Sequence, residues 1–213
     1  MNRPNDTTGN HEPIPARMAN LPRYGYLAVP WIVRWTMTAP PGDQIEYDPS
    51  LGDVAACDCI PGKGRPQFAN LCYPRHRKAM TQRCCGQCGE KLGDRMFWIA
   101  DNDSQTWTEP ASHPECLAYA MRACPDLKRT LKEKPDLGVV EAPGYWLHAE
   151  RSPNRVETGP WNYFPPGTPI ILQQLIGGIL FTYQAEPRAK TRHNAAAWLR
   201  QNEVERGNHK YPR

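Results

Sequence analysis

The sequence has no long apolar run. Its longest, Pro169 to Tyr183, is interrupted by Gln173 and Gln174 and falls short of the roughly 20 residues a membrane-crossing helix needs. Residues 1–12 carry neither the basic cluster nor the apolar core of a secretory leader. The expectation is therefore a cytoplasmic chain with no membrane partner. Also missing are a phosphate-binding glycine loop, a dinucleotide G-x-G-x-x-G fingerprint and a G-x-S-x-G nucleophile elbow, so the common nucleotide-dependent and serine-hydrolase chemistries have no motif to rest on. Phenylalanine is scarce, at 4 residues, whereas proline reaches 23 of 213. Proline lacks an N–H and fixes φ, so this abundance predicts short elements and long connections.

What is present is uneven along the chain. Residues 1–20 are polar with little apolar periodicity and read as a flexible arm. In 21–56, Trp31, Val33, Trp35 and Met37 alternate with Ile32, Arg34 and Thr36, which predicts a strand with one apolar face, stopped by Pro40, Pro41 and Gly42. Residues 57–125 hold all eight cysteines. In 126–184, Asp126 is expected to cap a helix over 127–134. Short strands follow around Pro143-Gly144, then a proline-rich loop from Arg151 to Thr168 and a helix opened by Pro169. Residues 185–213 read as a basic helix and tail, the helix over 189–206.

In a reducing compartment, clustered cysteines point to metal before disulfides. Cys85-x-x-Cys88-Gly89 has the spacing of a knuckle that brings two thiolates to one cation, with Gly86 and Gly89 expected to supply the positive φ of its turn. His113-x-x-Cys116 follows, with Pro114 suited to open a helix whose first turn presents both side chains on one side. Residues 89–112, between these halves, contain Met96–Ala100 and Thr106–Thr108 around Asp101-Asn102-Asp103-Ser104, which predicts a β-hairpin. Knuckle, hairpin and helix in that order describe a treble-clef-like module. The fold expected is α+β, with this module at the centre, the N-terminal strand region packed on it and a helical C-terminus. Cys85, Cys88, His113 and Cys116 form a closed Cys3His set, the arrangement of one structural Zn2+. Cys84 is a rival for Cys85 at a less suitable spacing.

The other cysteines are less patterned. Cys57, Cys59 and Cys72, with His76, can be drawn as a second metal site, but the one-residue gap in Cys57-x-Cys59 is awkward for one ion. The preferred reading packs them as small hydrophobes. Cys124 is expected to be a core residue. His113-x-Glu115 has the look of a zinc-deaminase motif, but there the C-x-x-C lies downstream and here it lies upstream. A treble-clef nuclease would need His76 or His148 as a base, and neither stands in a motif. A binding protein is favoured over an enzyme.

From Cys59 to Gly89 no acidic residue occurs, while Lys63, Arg65, Arg75, Arg77, Lys78 and Arg83 give a local charge of +6. Residues 185–213 add a net +4, so the remainder of a chain of net charge +4 is acidic. A basic run with interleaved Phe68 and Tyr73 leading into a knuckle suits phosphate contacts and base stacking. Nucleic acid is therefore the partner expected first, with the six basic residues as its contacts and the two basic regions meeting on one face. The alternative is a protein-interaction module using Trp161, Tyr163 and Phe164.

Several of these motifs form a set: Gly62-x-Gly64-x-Pro66, Pro74-Arg75-x-Arg77-x-Ala79-Met80, Arg83-Cys84-Cys85-Gly86-Gln87-Cys88-Gly89, Trp98-Ile99, His113-x-x-Cys116-x-x-Tyr119-Ala120 and Cys124-Pro125. In these, over about residues 57–130, the chain resembles uncharacterised small proteins of actinomycetes and their bacteriophages. The resemblance implies an actinobacterial or phage-encoded cytosolic protein; the first reading is then a phage regulatory protein on nucleic acid, and the alternative a protein-interaction module acting on host machinery. Many of those proteins carry Cys where His113 stands, which keeps a metal ligand at that position.

Overall fold

The computed structural model describes residues 11–36, 44–48, 52–100, 105–151 and 181–202. The expectations for Met37, for Pro40 to Gly42, for the turn at 101–104, for the loop and helix spanning 152–180 with Trp161, Tyr163 and Phe164, and for the tail beyond 202 lie outside them. Within them the chain is mixed α+β, with four α-helices and small antiparallel sheets. No helix among the described residues is long and apolar enough to cross a membrane.

The centre is a three-stranded antiparallel sheet of β7 (Met96–Ala100), β8 (Gly138–Ala142) and β11 (Thr191–Asn194), with β8 in the middle. Side chains alternate across a strand, so β7 sends Met96, Trp98 and Ala100 to one face and Phe97 to the other. Both faces are covered, which is why the strand reads Met-Phe-Trp-Ile-Ala without a polar residue. On one side Phe97 and Val139 meet Leu117, Ala118 and Met121 of α2 (Pro114–Ala123) and Trp198 of α4 (Ala195–Gln201). The rings of Phe97 and Trp198 lie 5.4 Å apart. On the other side Trp98, Val140 and Ala142 pack with Met80 of α1 (Tyr73–Gln82) and with Tyr145, Tyr183 and Ala185. These last three belong to a separate two-stranded ribbon, β9 (Gly144–Arg151) against β10 (Phe181–Arg188).

Six further strands form three antiparallel pairs: β1 (Arg23–Tyr24) with β2 (Leu27–Ala28), β3 (Val33–Thr36) with β6 (Arg65–Leu71), and β4 (Gln44–Asp48) with β5 (Gly52–Ala56). β3 carries the expected buried Val33 and Trp35, but Ile32 and Arg34 are buried as well, so its second face is covered too.

Four expectations need correction. The hairpin between the metal half-sites is not formed by the two predicted segments: β7 takes β8 as its ladder partner, Phe97 makes a single bridge to Ser112, and Trp107 bridges Ala185. Long-range pairing to a more apolar strand overrides the local turn. The helix after Pro125 is α3 (Pro125–Glu133), begun by Cys124 with Pro125 in its first turn, and Asp126 forms no cap but pairs with Arg129 at 2.9 Å. Cys124 is accordingly half-buried at the α2–α3 junction. The C-terminal helix starts at Ala195 instead of 189, after β11, where the Asn194 side chain accepts the Ala197 N–H at 3.0 Å. Finally, residues 11–20 of the supposed flexible arm are docked: Met18, in a short 3-10 turn (Ala16–Met18), is buried.

Candidate functional site

The knuckle grows out of the end of α1. Arg83 takes the left-handed conformation, φ 52°, that closes the helix, and the chain turns back so that Cys84 pairs with Lys91. Between them the loop satisfies its own backbone: Cys85 N–H donates to Glu90 O at 2.8 Å and Gly89 N–H to Cys85 O at 2.8 Å. Only Gly89 has the expected positive φ, 81°; Gly86 does not, and its N–H instead donates to Ala111 O at 3.0 Å. The N-terminal segment straps the loop from outside, Trp31 N–H donating to Gln87 O at 2.7 Å and Ile32 N–H to Gly86 O at 3.3 Å. From the other half, His113 is the residue before α2 and Cys116 lies in its first turn.

These elements bring Cys85, Cys88, His113 and Cys116 together, all buried, with one ligand atom of each within 4.8 Å of all the others. Such a group can hold a metal ion. Bonds of about 2.3 Å to sulfur and 2.0–2.1 Å to nitrogen in a tetrahedron imply S···N separations near 3.5 Å. Cys88 Sγ and His113 Nδ1 are 3.4 Å apart. The opposite ring nitrogen, Nε2, donates to Lys91 O at 3.0 Å, and because a carbonyl only accepts, this fixes the proton on Nε2 and leaves the Nδ1 lone pair for the centre. Cys84, the rival ligand, faces away and packs with Ile32 and Ala79, since adjacent residues in an extended segment point to opposite sides.

Hydrogen bonding to Cys85 and then Cys88 pushes the His113 imidazole up to about 10. Burial pushes the Cys85 thiol up, but hydrogen bonds from Cys116, Cys88 and His113 outweigh it and hold Cys85 far below the usual thiol range. Cys116 is driven up, chiefly by its hydrogen bond to Cys85. A cation at the centre takes the place of the shared protons, so loading it releases protons.

One face of α2 carries the cluster outward into a core: Cys116, Tyr119 and Ala123 pack with Met18, Leu27 and Ala28. Tyr119 Oη accepts the buried Ala28 N–H at 2.9 Å. Arg17 clasps both halves, pairing with Glu90 after the knuckle and with Glu115 of α2, the latter at 2.7 Å. Arg17 and Met18 were missed in the sequence. The signal was there: Ile14, Met18 and Leu21 stand at i, i+4 and i+7 in an otherwise polar stretch, and Ile14 and Leu21 pack on the same cluster.

The basic residues scatter in role. Lys63 and Arg65 are exposed around the start of β6, and Lys78 is exposed over the Trp31 ring at 5.9 Å. Arg77 is half-buried on α1. Arg75 is turned inward, one guanidinium nitrogen 2.7 Å from Val33 O and 3.0 Å from Cys59 Sγ. Arg83 lies over the Tyr145 ring at 5.5 Å, with its guanidinium 3.8 Å from where a Cβ would stand on Gly144. Gly144 pairs across the ribbon with Arg188, which covers the exposed Trp146 ring at 4.2 Å.

His76 is buried on α1 and its Nε2 is 2.6 Å from Thr108 O, whereas His148 is exposed and pairs with Glu186 at 2.8 Å. Neither belongs to a group of metal-ligating side chains among the described residues. Cys57, Cys59 and Cys72 do form such a group, contrary to the expectation of independent packing, and His76 is not part of it. Comparison with protein-family models, with characterised proteins and with solved structures finds no match to this chain.

Proposed function

We propose that this chain is a zinc-stabilised, treble-clef-like binding protein that contacts single-stranded nucleic acid. Three thiolates and one imidazole in a buried, closed set favour Zn2+ as a structural ion, because such a shell leaves no position for substrate or water. The function then belongs to a surface that the ion holds in place.

The observation that carries the reading is the approach of the two basic regions at the start of the β9–β10 ribbon. Arg83, the last basic residue before the knuckle, and Arg188, from the C-terminal basic stretch, both come to Gly144, and beside them Trp146 is 56% exposed. An exposed aromatic ring with the Arg188 guanidinium already stacked on one face is a platform that a base can share or extend, beside phosphate-binding charge. Glu186, opposite Trp146 in the ribbon, is engaged by His148 at 2.8 Å. Arg75 drops out of the contact set because its guanidinium is engaged inside the fold; Lys63, Arg65, Arg77 and Lys78 remain as flanking contacts.

Fluorescence anisotropy with single-stranded DNA and RNA over a series of salt concentrations tests the reading. Affinity is expected to fall with salt, and Arg83→Ala or Arg188→Ala to flatten log K against log salt by about 0.7 per lost phosphate contact. Trp146→Ala is expected to lose about 1–3 kcal/mol, as for a stacked base. Absence of binding to either nucleic acid at low salt overturns it.

A further inference from the structure

Cys57 and Cys59 follow β5, and Cys72 immediately precedes α1, yet their three sulfur atoms lie within 4.8 Å of one another. All three are free thiols, the first two half-buried and the third buried. Side chains at i and i+2 take the same side of an extended chain, so a C-x-C step leaving a strand presents two sulfurs together, and the awkward spacing becomes a suitable one. Two positive features converge on the group. Arg75 Nη2 stands 3.0 Å from Cys59 Sγ, a short contact for a neutral thiol, which is a weak acceptor, and a natural one for a thiolate. Cys72 occupies the N-cap of the ten-residue helix α1, where the helix dipole favours negative charge.

We infer that Cys57, Cys59 and Cys72 form a second metal site, which takes a thiophilic divalent cation such as Zn2+ on three thiolates and leaves a fourth position for a ligand from solution. Tetrahedral thiolate coordination needs sulfurs about 3.8 Å apart, within reach of small side-chain rotations from the observed group. Three thiolates and a divalent ion carry one net negative charge, and the guanidinium groups of Arg75, against Cys59, and of Arg34, which acts on Cys57, offset it at a half-buried site. The site differs from the Cys3His centre in being open, since no fourth Cys, His, Asp or Glu joins the group among the described residues.

The ion would hold the chain after β5 to the start of α1. It would also act next to the first centre, because Ile32 donates its N–H to Gly86 O in the knuckle and accepts the Cys72 N–H at 2.8 Å. One residue thus links the two cysteine groups through the backbone.

The full chain, reduced, stripped with chelator and titrated with Zn2+ against a chromogenic competitor, is expected to bind two equivalents. Cys59→Ser, at a half-buried position, is expected to bind one. In parallel, mass spectrometry after iodoacetamide treatment is expected to show Zn2+ slowing alkylation of Cys57, Cys59 and Cys72 as well as of Cys85, Cys88 and Cys116. In Cys88→Ser, Zn2+ still protects the first three. A single equivalent in the wild-type chain, with Cys57, Cys59 and Cys72 alkylated at the same rate with and without Zn2+, overturns the inference. The alkylation pattern of the wild-type chain decides the matter even if a serine variant fails to fold.

Discussion

Replacing Gly89 by alanine perturbs the knuckle at one carbon atom. At φ 81° an L side chain is strained, by about 1–2 kcal/mol for a left-handed residue. The added Cβ would also stand 2.7 Å from Trp31 Cδ2 and 2.8 Å from Trp31 Cγ. Those atoms are at the root of the side chain, and the Trp31 backbone is tied to Gln87 O, so the ring cannot swing clear without breaking the strap over the loop. Overpacking of this kind costs about 1–3 kcal/mol, which brings the total to about 2–5 kcal/mol. Two neighbours serve as controls. At Gly86 a Cβ would meet Ile32 and Pro110 at 3.4 Å, ordinary contact, and the φ is not positive; the expected change is within about 1 kcal/mol. At Gly93 nothing lies within 4 Å, and alanine is expected to be neutral or to stabilise by about 0.4–1 kcal/mol through the unfolded chain. Urea unfolding of the three variants at saturating Zn2+ gives the order directly. Gly89→Ala unfolding with the same midpoint as Gly93→Ala would refute both the turn geometry and the role of Trp31 as its strap.

Three further outcomes follow from the same structure. Cys88→Ser should lose the metal of the Cys3His centre, seen as one equivalent fewer by metal analysis and as lost protection of Cys85 and Cys116 from alkylation; an unchanged metal count would rule the centre out. Tyr119→Phe leaves the buried Ala28 N–H without its 2.9 Å acceptor and should cost about 1–3 kcal/mol in denaturant unfolding, whereas a change below about 0.5 kcal/mol, the size of an ordinary surface substitution, would deny that bond its role. Burial holds the His76 imidazole below its ordinary value of 6.5, only partly opposed by its bond to Thr108 O. The unfolded chain therefore takes up the proton first: the contribution is complete above pH 6.5 and is lost as pH falls below it, by up to about 1.4 kcal/mol per pH unit. His76→Gln should show a shallower loss between pH 6.5 and 5 than the wild type, and since both retain the metal ligands, equal slopes would show that His76 does not titrate in this way.

The grouping of Cys85, Cys88, His113 and Cys116 was legible because the spacing that metal chemistry asks for is local. C-x-x-C and H-x-x-C each place two donors on one turn, and that requirement is written in residues three apart. The apolar strand β7 and the helix begun by Pro114 were legible for the same reason, as was the burial of Val33 and Trp35. α1 was not legible in the sequence, because its ten residues include three basic ones, a histidine and a proline, and only Tyr73, Ala79 and Met80 supply a buried apolar face. Strand partners were beyond sequence reasoning altogether: β7 could close locally or pair with β8 about forty residues away, and only the burial of both sheet faces decides between them.

The Cys57, Cys59 and Cys72 group shows the division most clearly. By itself the sequence determined that these residues are thiols without a recognisable spacing, and that Cys85, Cys88, His113 and Cys116 have one. The tertiary structure alone decided that the former also converge, that Arg75 turns inward to meet them, and that Arg83 and Arg188 come to one glycine. Spacing along the chain constrains donors only within a turn or two; beyond that, distance is set by which apolar faces are buried against each other, and that choice is made by the whole core at once.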